Sequence, residues 1–306
     1  EGKYFGVVAT RGCPNRCVYC SITATKARYR SIDSIIKEIE EKIQLTGVRN
    51  VIFGDASLTI NRHFIEKLCN KILDKKLGIR FNCYSRVNID LSLLKLMKKA
   101  GLVSIEIGLE TGSPRILKAI RKNINVDQFR SFCEAAYNLG IKIYVFCMVS
   151  LPDEKMEDVD MTISLIKNLS KYIYYVGVQT TRIMPDAALY PMAMERGLLP
   201  QDFNWFESYE ISEEMKTVCK DPFYFNVPMY IEHLNVSDIK CKVEELRHIL
   251  DSHFSNFNIL RKAIQYNLSK EGLKQFKLLS VGRKSKRLIS MTYYAFRNRK
   301  KEMNYI

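Results

Sequence analysis

The residues best suited to chemistry stand together near the start of the chain: Cys13-Pro14-Asn15-Arg16-Cys17-Val18-Tyr19-Cys20, just after the apolar run Tyr4-Phe5-Gly6-Val7-Val8-Ala9. Three residues separate the first pair of cysteines and two separate the second, so one tight turn can aim all three sulfurs at a single centre. Thiolates so arranged hold an iron–sulfur cluster or a zinc ion. Zinc asks for a fourth ligand. Cys17 and Cys20 form half of a zinc knuckle, but the chain has no second Cys-x-x-Cys and no His-x-x-x-His pair, and His63, His233, His248 and His253 lie far off. A four-iron cluster on three cysteines keeps one iron open to a small molecule. Of the other cysteines, Cys69 and Cys133 read as helical, Cys83 and Cys147 as strand residues, and Cys219 and Cys241 as isolated, so no second cluster is expected.

Elements must carry that loop. Between Ser31 and Leu45, Ile32, Ile35, Ile36, Ile39 and Ile43 recur at helical spacing opposite Glu38, Glu40, Glu41 and Lys42. Val51-Ile52-Phe53 is a short apolar strand, and Asn61 to Lys75 is a second amphipathic helix. The alternation continues with strands over 80–84, 104–108, 141–149 and 172–181 and helices over 91–100, 126–139 and 156–169. Six strand–helix units at regular spacing call for parallel strands joined by right-handed crossovers. An open doubly wound sheet and a curved barrel both satisfy the pattern.

The Cys-x-x-x-Cys-x-aromatic-Cys loop after the first strand resembles the hallmark of the radical S-adenosylmethionine (SAM) superfamily. The segments "RYRSIDSIIKEIEEKI", "NVIFGDASLTINRHFIEKL", "RFNCYSRVNID", "SIEIGLETGSPRILKAIRKNINVDQF", "IYVFCMVSLPDEKMEDV" and "RIMPDAALYPMAMERGLLPQDFNW" resemble successive parts of it, in order, to roughly residue 210. The likeness is greatest to the branch whose members usually carry an N-terminal cobalamin-binding domain. That resemblance implies an α/β fold, a partial (β/α)6 TIM-like barrel of parallel strands over residues 1–210, followed at 211–306 by a basic, mainly helical extension. It implies a [4Fe-4S] cluster on Cys13, Cys17 and Cys20 and SAM cleaved reductively to a 5′-deoxyadenosyl radical. A flavodoxin- or ferredoxin-like protein would donate the electron. The substrate stays unassigned: a small metabolite or lipid undergoing methyl transfer, cyclisation or rearrangement. An RNA-modifying enzyme such as a methylthiotransferase relative is the alternative, and a zinc-held scaffold a remote one. Because the chain begins at Glu1, cobalamin is expected only through a domain missing from the N-terminal side.

The resemblance also implies contacts to SAM, each just after a strand. Tyr19 would stack on or bond to the adenine. Gly54 and Asp55 would meet the methionyl amine, although Asp55 also suits a helix cap. Arg86 would pair with the methionine carboxylate or a substrate acid. Glu110 in "GLETGS" would accept from the ribose hydroxyls or the amine, Gly108 and Gly112 would let backbone approach the ligand, and Ser113 with Pro114 doubles as a helix start. Two places depart from the family: Ser150-Leu151-Pro152-Asp153-Glu154 replaces both glycines of Gly-Leu-Pro-Gly-Glu, and Pro185-Asp186-Ala187 stands for Pro-Gly-Thr.

At 306 residues and 47% apolar content the chain can bury a substantial core. It has no membrane-length apolar run and nine irregularly spaced cysteines, which reads as a cytoplasmic protein with reduced thiols. The net charge of +15 is concentrated late, with 17 Lys and Arg against 8 Asp and Glu over 220–306. The end, "GRKSKRLISMTYYAFRNRKKEMNYI", mixes cations with aromatic and aliphatic residues. It suits peripheral contact with an anionic membrane, grip on RNA phosphates, or a solvated helical cap; nucleic acid is the less favoured partner because no small β-barrel follows residue 211.

Overall fold

The computed structural model of the chain describes residues 3–219 and 222–256. In chain order come β1 (Phe5–Val7), the short strands β2 (Thr10–Arg11) and β3 (Arg28–Tyr29), α1 (Ile32–Thr46), β4 (Asn50–Phe53) and α2 (Arg62–Asp74). Then follow β5 (Arg80–Ser85), α3 (Leu91–Lys99), β6 (Leu102–Glu110), α4 (Pro114–Ala119), α5 (Val126–Asn138), β7 (Lys142–Val149), α6 (Met156–Leu169) and β8 (Tyr175–Thr180). Beyond the last strand lie α7 (Leu189–Glu195), α8 (Glu213–Lys216), one 3-10 turn (Pro222–Tyr224) and α9 (Val236–Asn256).

Local chemistry accounts for the helix starts. Ser31, Asn61, Asp90, Ser113 and Asn125 each turn a side-chain oxygen onto an amide in the first turn of the following helix. Each such cap contributes about 1 kcal/mol. The buried faces are those of the apolar periodicity, Ile35, Ile36 and Ile39 on α1 and Ile65, Leu68, Cys69 and Ile72 on α2.

The sheet order is β1-β4-β5-β6-β7-β8, and every neighbouring pair is parallel. Strands are therefore laid down in one direction without a reversal. A doubly wound sheet must reverse partway, because that is how it places helices on both faces. Right-handed crossovers that always advance put the helices on one face, and the sheet curls around the other. The winding thus selects the partial (β/α)6 barrel over the open sheet. Along β7, Ile143, Val145, Cys147 and Val149 are fully buried and alternate with half-buried Tyr144, Phe146 and Met148.

The chain returns to the barrel after α8. Arg182 and Met229 form an antiparallel bridge, Ile183 N–H donates to Pro228 O (2.9 Å) and Tyr230 N–H to Thr181 O (3.0 Å). Arg196 fastens the same return, with Nη1 bonded to Glu232 Oε1 (2.6 Å), Tyr230 Oη (3.0 Å) and Asp153 Oδ1 (3.1 Å). Residues up to Ile249 form one compact unit. No helix among the described residues is long and apolar enough to cross a membrane. The basic C-terminal run lies outside the described residues.

Candidate functional site

The cysteine loop is closed at its base by the two-stranded β2–β3 ladder, in which Thr10 faces Tyr29 and Arg11 faces Arg28. Gly12 begins the turn at φ +86°, and a Cβ there would lie 2.5 Å from Lys26 O, so only glycine fits. Within the loop, Cys13 N–H donates to Thr25 Oγ1 (2.9 Å), Thr25 N–H to Cys13 O (3.0 Å) and Ala24 N–H to Asn15 O (2.6 Å). Val18 ties it to the barrel. Its N–H donates to Ile120 O (3.1 Å), its carbonyl accepts from Leu189 N–H (2.8 Å), and its side chain is buried with Ile116, Ile120 and Leu151.

All three cysteines are free thiols, Cys17 buried and Cys13 and Cys20 half-buried. Burial raises the Cys20 thiol above its ordinary range, and the neighbouring Cys17 and Cys13 push the same way. Donors face the sulfurs: Asn15 Nδ2 is 3.2 Å from Cys13 Sγ, and Arg86 Nη1 is 3.7 Å from Cys17 Sγ. The other guanidinium nitrogen of Arg86, Nη2, is buried without a hydrogen-bond partner, as is Ser57 Oγ in the segment after β4. N–H donors on ligand sulfurs and an unspent cation beside them are what an anionic iron–sulfur cluster and a carboxylate-bearing ligand call for, so these residues fit such a group.

Beside the loop lies a buried polar trio. Glu110 ends β6 with φ +67° at a register shift against β7. Its Oε1 accepts from Tyr19 Oη–H (2.9 Å) and from Lys122 Nζ (2.6 Å), and Nζ also lies 3.1 Å from Tyr19 Oη. Burial, and then the Glu110 carboxylate, hold the Tyr19 hydroxyl well above its ordinary range, so it remains a proton donor. The sequence reading missed Lys122. Nothing in "ILKAIRK" separates it from Lys118 and Arg121; its neighbours Arg121 and Asn123 both take left-handed backbone, which marks an unusual turn only once coordinates exist.

The other expected contacts divide. Asp55 is buried and its carboxylate accepts from Ala9 N–H (3.3 Å) and, more closely, from Thr10 N–H, which joins it to the strand leading into the cysteine loop. Burial raises its pKa and those bonds oppose the rise. It does not cap the next helix, where Asn61 does so. Gly54 donates its N–H to Val7 O (2.9 Å). Ser113 caps α4 and donates its hydroxyl to Asp158 Oδ1 (2.6 Å), so its proton and one of its two lone pairs are engaged within the protein. A Cβ on Gly108 would lie 2.2 Å from Glu110 Oε1 and 2.8 Å from Lys122 Nζ, and one on Gly112 would lie 2.8 Å from Thr162 Cα. Those two glycines make room for the protein's own ion pair and for α6. Ser150 (φ +68°) and Asp153 (φ +62°) keep the left-handed backbone that glycine would adopt, so the departure from the family pattern changes side chains and leaves the turn in place.

Residues 7–166 match the Radical SAM superfamily. An uncharacterised methyltransferase of Pyrococcus horikoshii is 31% identical over 221 residues, covering 71% of this chain and 48% of the relative. The radical SAM methyltransferase TsrM of Kitasatospora setae, solved with cobalamin and a [4Fe-4S] cluster, superposes at TM-score 0.58 and 17% identity over 64% of this chain and 37% of that one. OxsB, a cobalamin-dependent SAM radical enzyme solved with aqua-cobalamin and SAM, superposes at TM-score 0.60 and 12% identity over 95% and 45%. The chain thus spans about half or less of the length of these relatives.

Proposed function

Because the chain belongs to the radical SAM superfamily and is an enzyme of that kind, we propose that Cys13, Cys17 and Cys20 hold a [4Fe-4S] cluster and that the barrel mouth above them binds SAM. When bound, the cluster supplies the electron for reductive cleavage of SAM. The reaction assigned to the whole protein is methyl transfer to a small metabolite or lipid, with cobalamin held by a domain outside this chain. Support for that choice comes from the methyltransferase of Pyrococcus horikoshii and from the fold of TsrM.

The observation that carries the reading is Arg86. Its guanidinium sits beside the Cys17 sulfur while Nη2 is buried and partnerless. A buried donor left unmade costs about 1–3 kcal/mol and more for a charged group, so the site favours a ligand carboxylate there, as SAM provides. Arg86 orients that carboxylate, Asp55 holds the loop's entry strand by two amides, and Glu110 offers a carboxylate already aligned by Tyr19 and Lys122. The protein's share is positioning and exclusion of water; the cofactors carry the difficult chemistry.

Anaerobic reconstitution with iron and sulfide tests it. The expected product has four irons per chain, a brown colour, and 5′-deoxyadenosine formed from SAM under dithionite, all lost in Cys17→Ala. A colourless protein that takes up one zinc per chain instead would overturn the reading.

A further inference from the structure

Along β6 and β7 the residues Ile105, Ile107, Val145 and Cys147 are buried, and the alternate ones, Glu106, Tyr144 and Phe146, belong to the face that the sheet curls around. The strand register sets one row across that concave face: Tyr84 pairs with Glu106, Glu106 with Tyr144, and Tyr144 with Tyr175. In a closed eight-stranded barrel such inward side chains fill the interior as a packed core. Here they stay open. Tyr84 is 42% exposed and Tyr175 37%, while Glu106 and Tyr144 are half-buried.

The row carries a single charge. Glu106 has the neutral donors of Tyr84 and Asn82 turned toward its carboxylate, and among the described residues no cation pairs with it. Burial is the larger effect and raises its pKa, as expected of a carboxylate taken from water without a counter-ion. Lys142, two residues before Tyr144 on the same face of β7, lies instead over the Tyr174 ring, 4.3 Å from its centroid. The Tyr144 ring stands 5.8 Å from that of Tyr175, tilted by 46°, and 5.3 Å from that of Tyr174. Tyrosine rings grouped about an unpaired carboxylate suit an organic ammonium, which the ring quadrupoles and the carboxylate both attract.

We infer that this row seats an organic ammonium group of the substrate, with Glu106 as its counter-ion and Tyr84, Tyr144 and Tyr175 as aromatic walls. The inference names a substrate class for the reaction site proposed above and rests on that reading. Glu106 precedes Glu110 by four residues on β6, about 13 Å along the strand, so a molecule anchored there reaches the barrel mouth only if it is elongated. A metal ion suits the row less, because one carboxylate among phenols offers too few ligands.

The probe is choline, with 3,3-dimethyl-1-butanol as its uncharged isostere, each titrated into the reconstituted protein by ligand-observed NMR. The native protein is expected to bind choline saturably and the alcohol at least about tenfold more weakly. Glu106→Gln should weaken choline binding roughly tenfold or more, and Tyr84→Leu and Tyr144→Leu roughly 3- to 30-fold. Glu134→Gln, at an exposed position of α5, is the control and keeps the native affinity. Should Glu106→Gln lose its native far-ultraviolet circular dichroism, Tyr84→Leu decides, because that ring is already exposed. Absence of saturable binding to the native protein, equal affinity for choline and the alcohol, or native choline affinity in the folded row variants overturns the inference. Choline binding requires neither cluster nor SAM, so a native protein that binds choline yet forms no 5′-deoxyadenosine under dithionite strikes at the cluster reading alone.

Discussion

Lys122 Nζ lies 2.6 Å from Glu110 Oε1, and less than one tenth of either side chain is exposed. Both charges sit beside the aromatic residue of the cysteine loop, since Tyr19 Oη bonds to each. Removing one partner of such a pair strands the other charge in the interior, at a cost of about 3–5 kcal/mol. Lys122→Met is therefore expected to lower the urea-unfolding free energy by that amount. The double variant Lys122→Met/Glu110→Gln should lose less, because no bare charge remains. Equal losses in the two proteins would contradict the pairing.

Arg86 is expected to act chiefly on SAM through its free Nη2, beyond the contact its Nη1 makes with Cys17 Sγ. Replacing it with Gln removes a charge-assisted contact of about 1.5–3 kcal/mol, so SAM affinity falls roughly 10- to 150-fold. Equilibrium dialysis of SAM against reconstituted protein gives the affinity, and iron per chain should match the native value. A fall in iron with unchanged SAM affinity would reverse the assignment.

Gly12 permits the turn into Cys13. A methyl group there meets Lys26 O, and the left-handed backbone adds strain of about 1–3 kcal/mol. Gly12→Ala should lower iron uptake on reconstitution by at least about half while far-ultraviolet circular dichroism stays native, since the strain is local to the loop. Full iron loading of the variant would show that the loop does not need the glycine.

Glu154 makes stability depend on pH. Its carboxyl is buried, and burial pushes its pKa from 4.5 up to about 8, against the pull of the Leu151 and Ser150 amides that it accepts from. Between those values the folded protein keeps a proton that the unfolded chain has released. The stabilisation is complete below pH 4.5 and is lost as pH rises through about 8. Glu154→Gln keeps an oxygen acceptor and cannot ionise. Native stability relative to that variant should fall by about 2–4 kcal/mol from pH 5 to pH 8.5 in parallel urea titrations. A constant difference across that range would place the carboxyl's pKa near its ordinary value.

The family turn that carries Glu154 illustrates how far local sequence reaches. Ser150 and Asp153 stand where relatives have glycine, which left the backbone in doubt, yet both adopt φ near +65°. Tertiary bonds hold them there: Ser150 Oγ–H donates to Tyr230 O (2.6 Å), and Asp153 pairs with Arg196. Neither partner is near in sequence, so the conformation was legible only after the chain had folded back.

Periodicity and spacing alone determined the six strand–helix units and the three-cysteine loop, because hydrophobic pattern, caps and a short thiol motif are local properties of the chain. The direction of winding was decided in three dimensions, since any crossover of that length could advance or reverse. Partnerships across many residues were decided there too. Lys122 is accommodated in the interior by Glu110, buried opposite it, and Asp55 meets the amides of Ala9 and Thr10 because β1 and β4 lie side by side. A buried charge takes whichever partner the fold brings within reach, and sequence distance does not encode that reach.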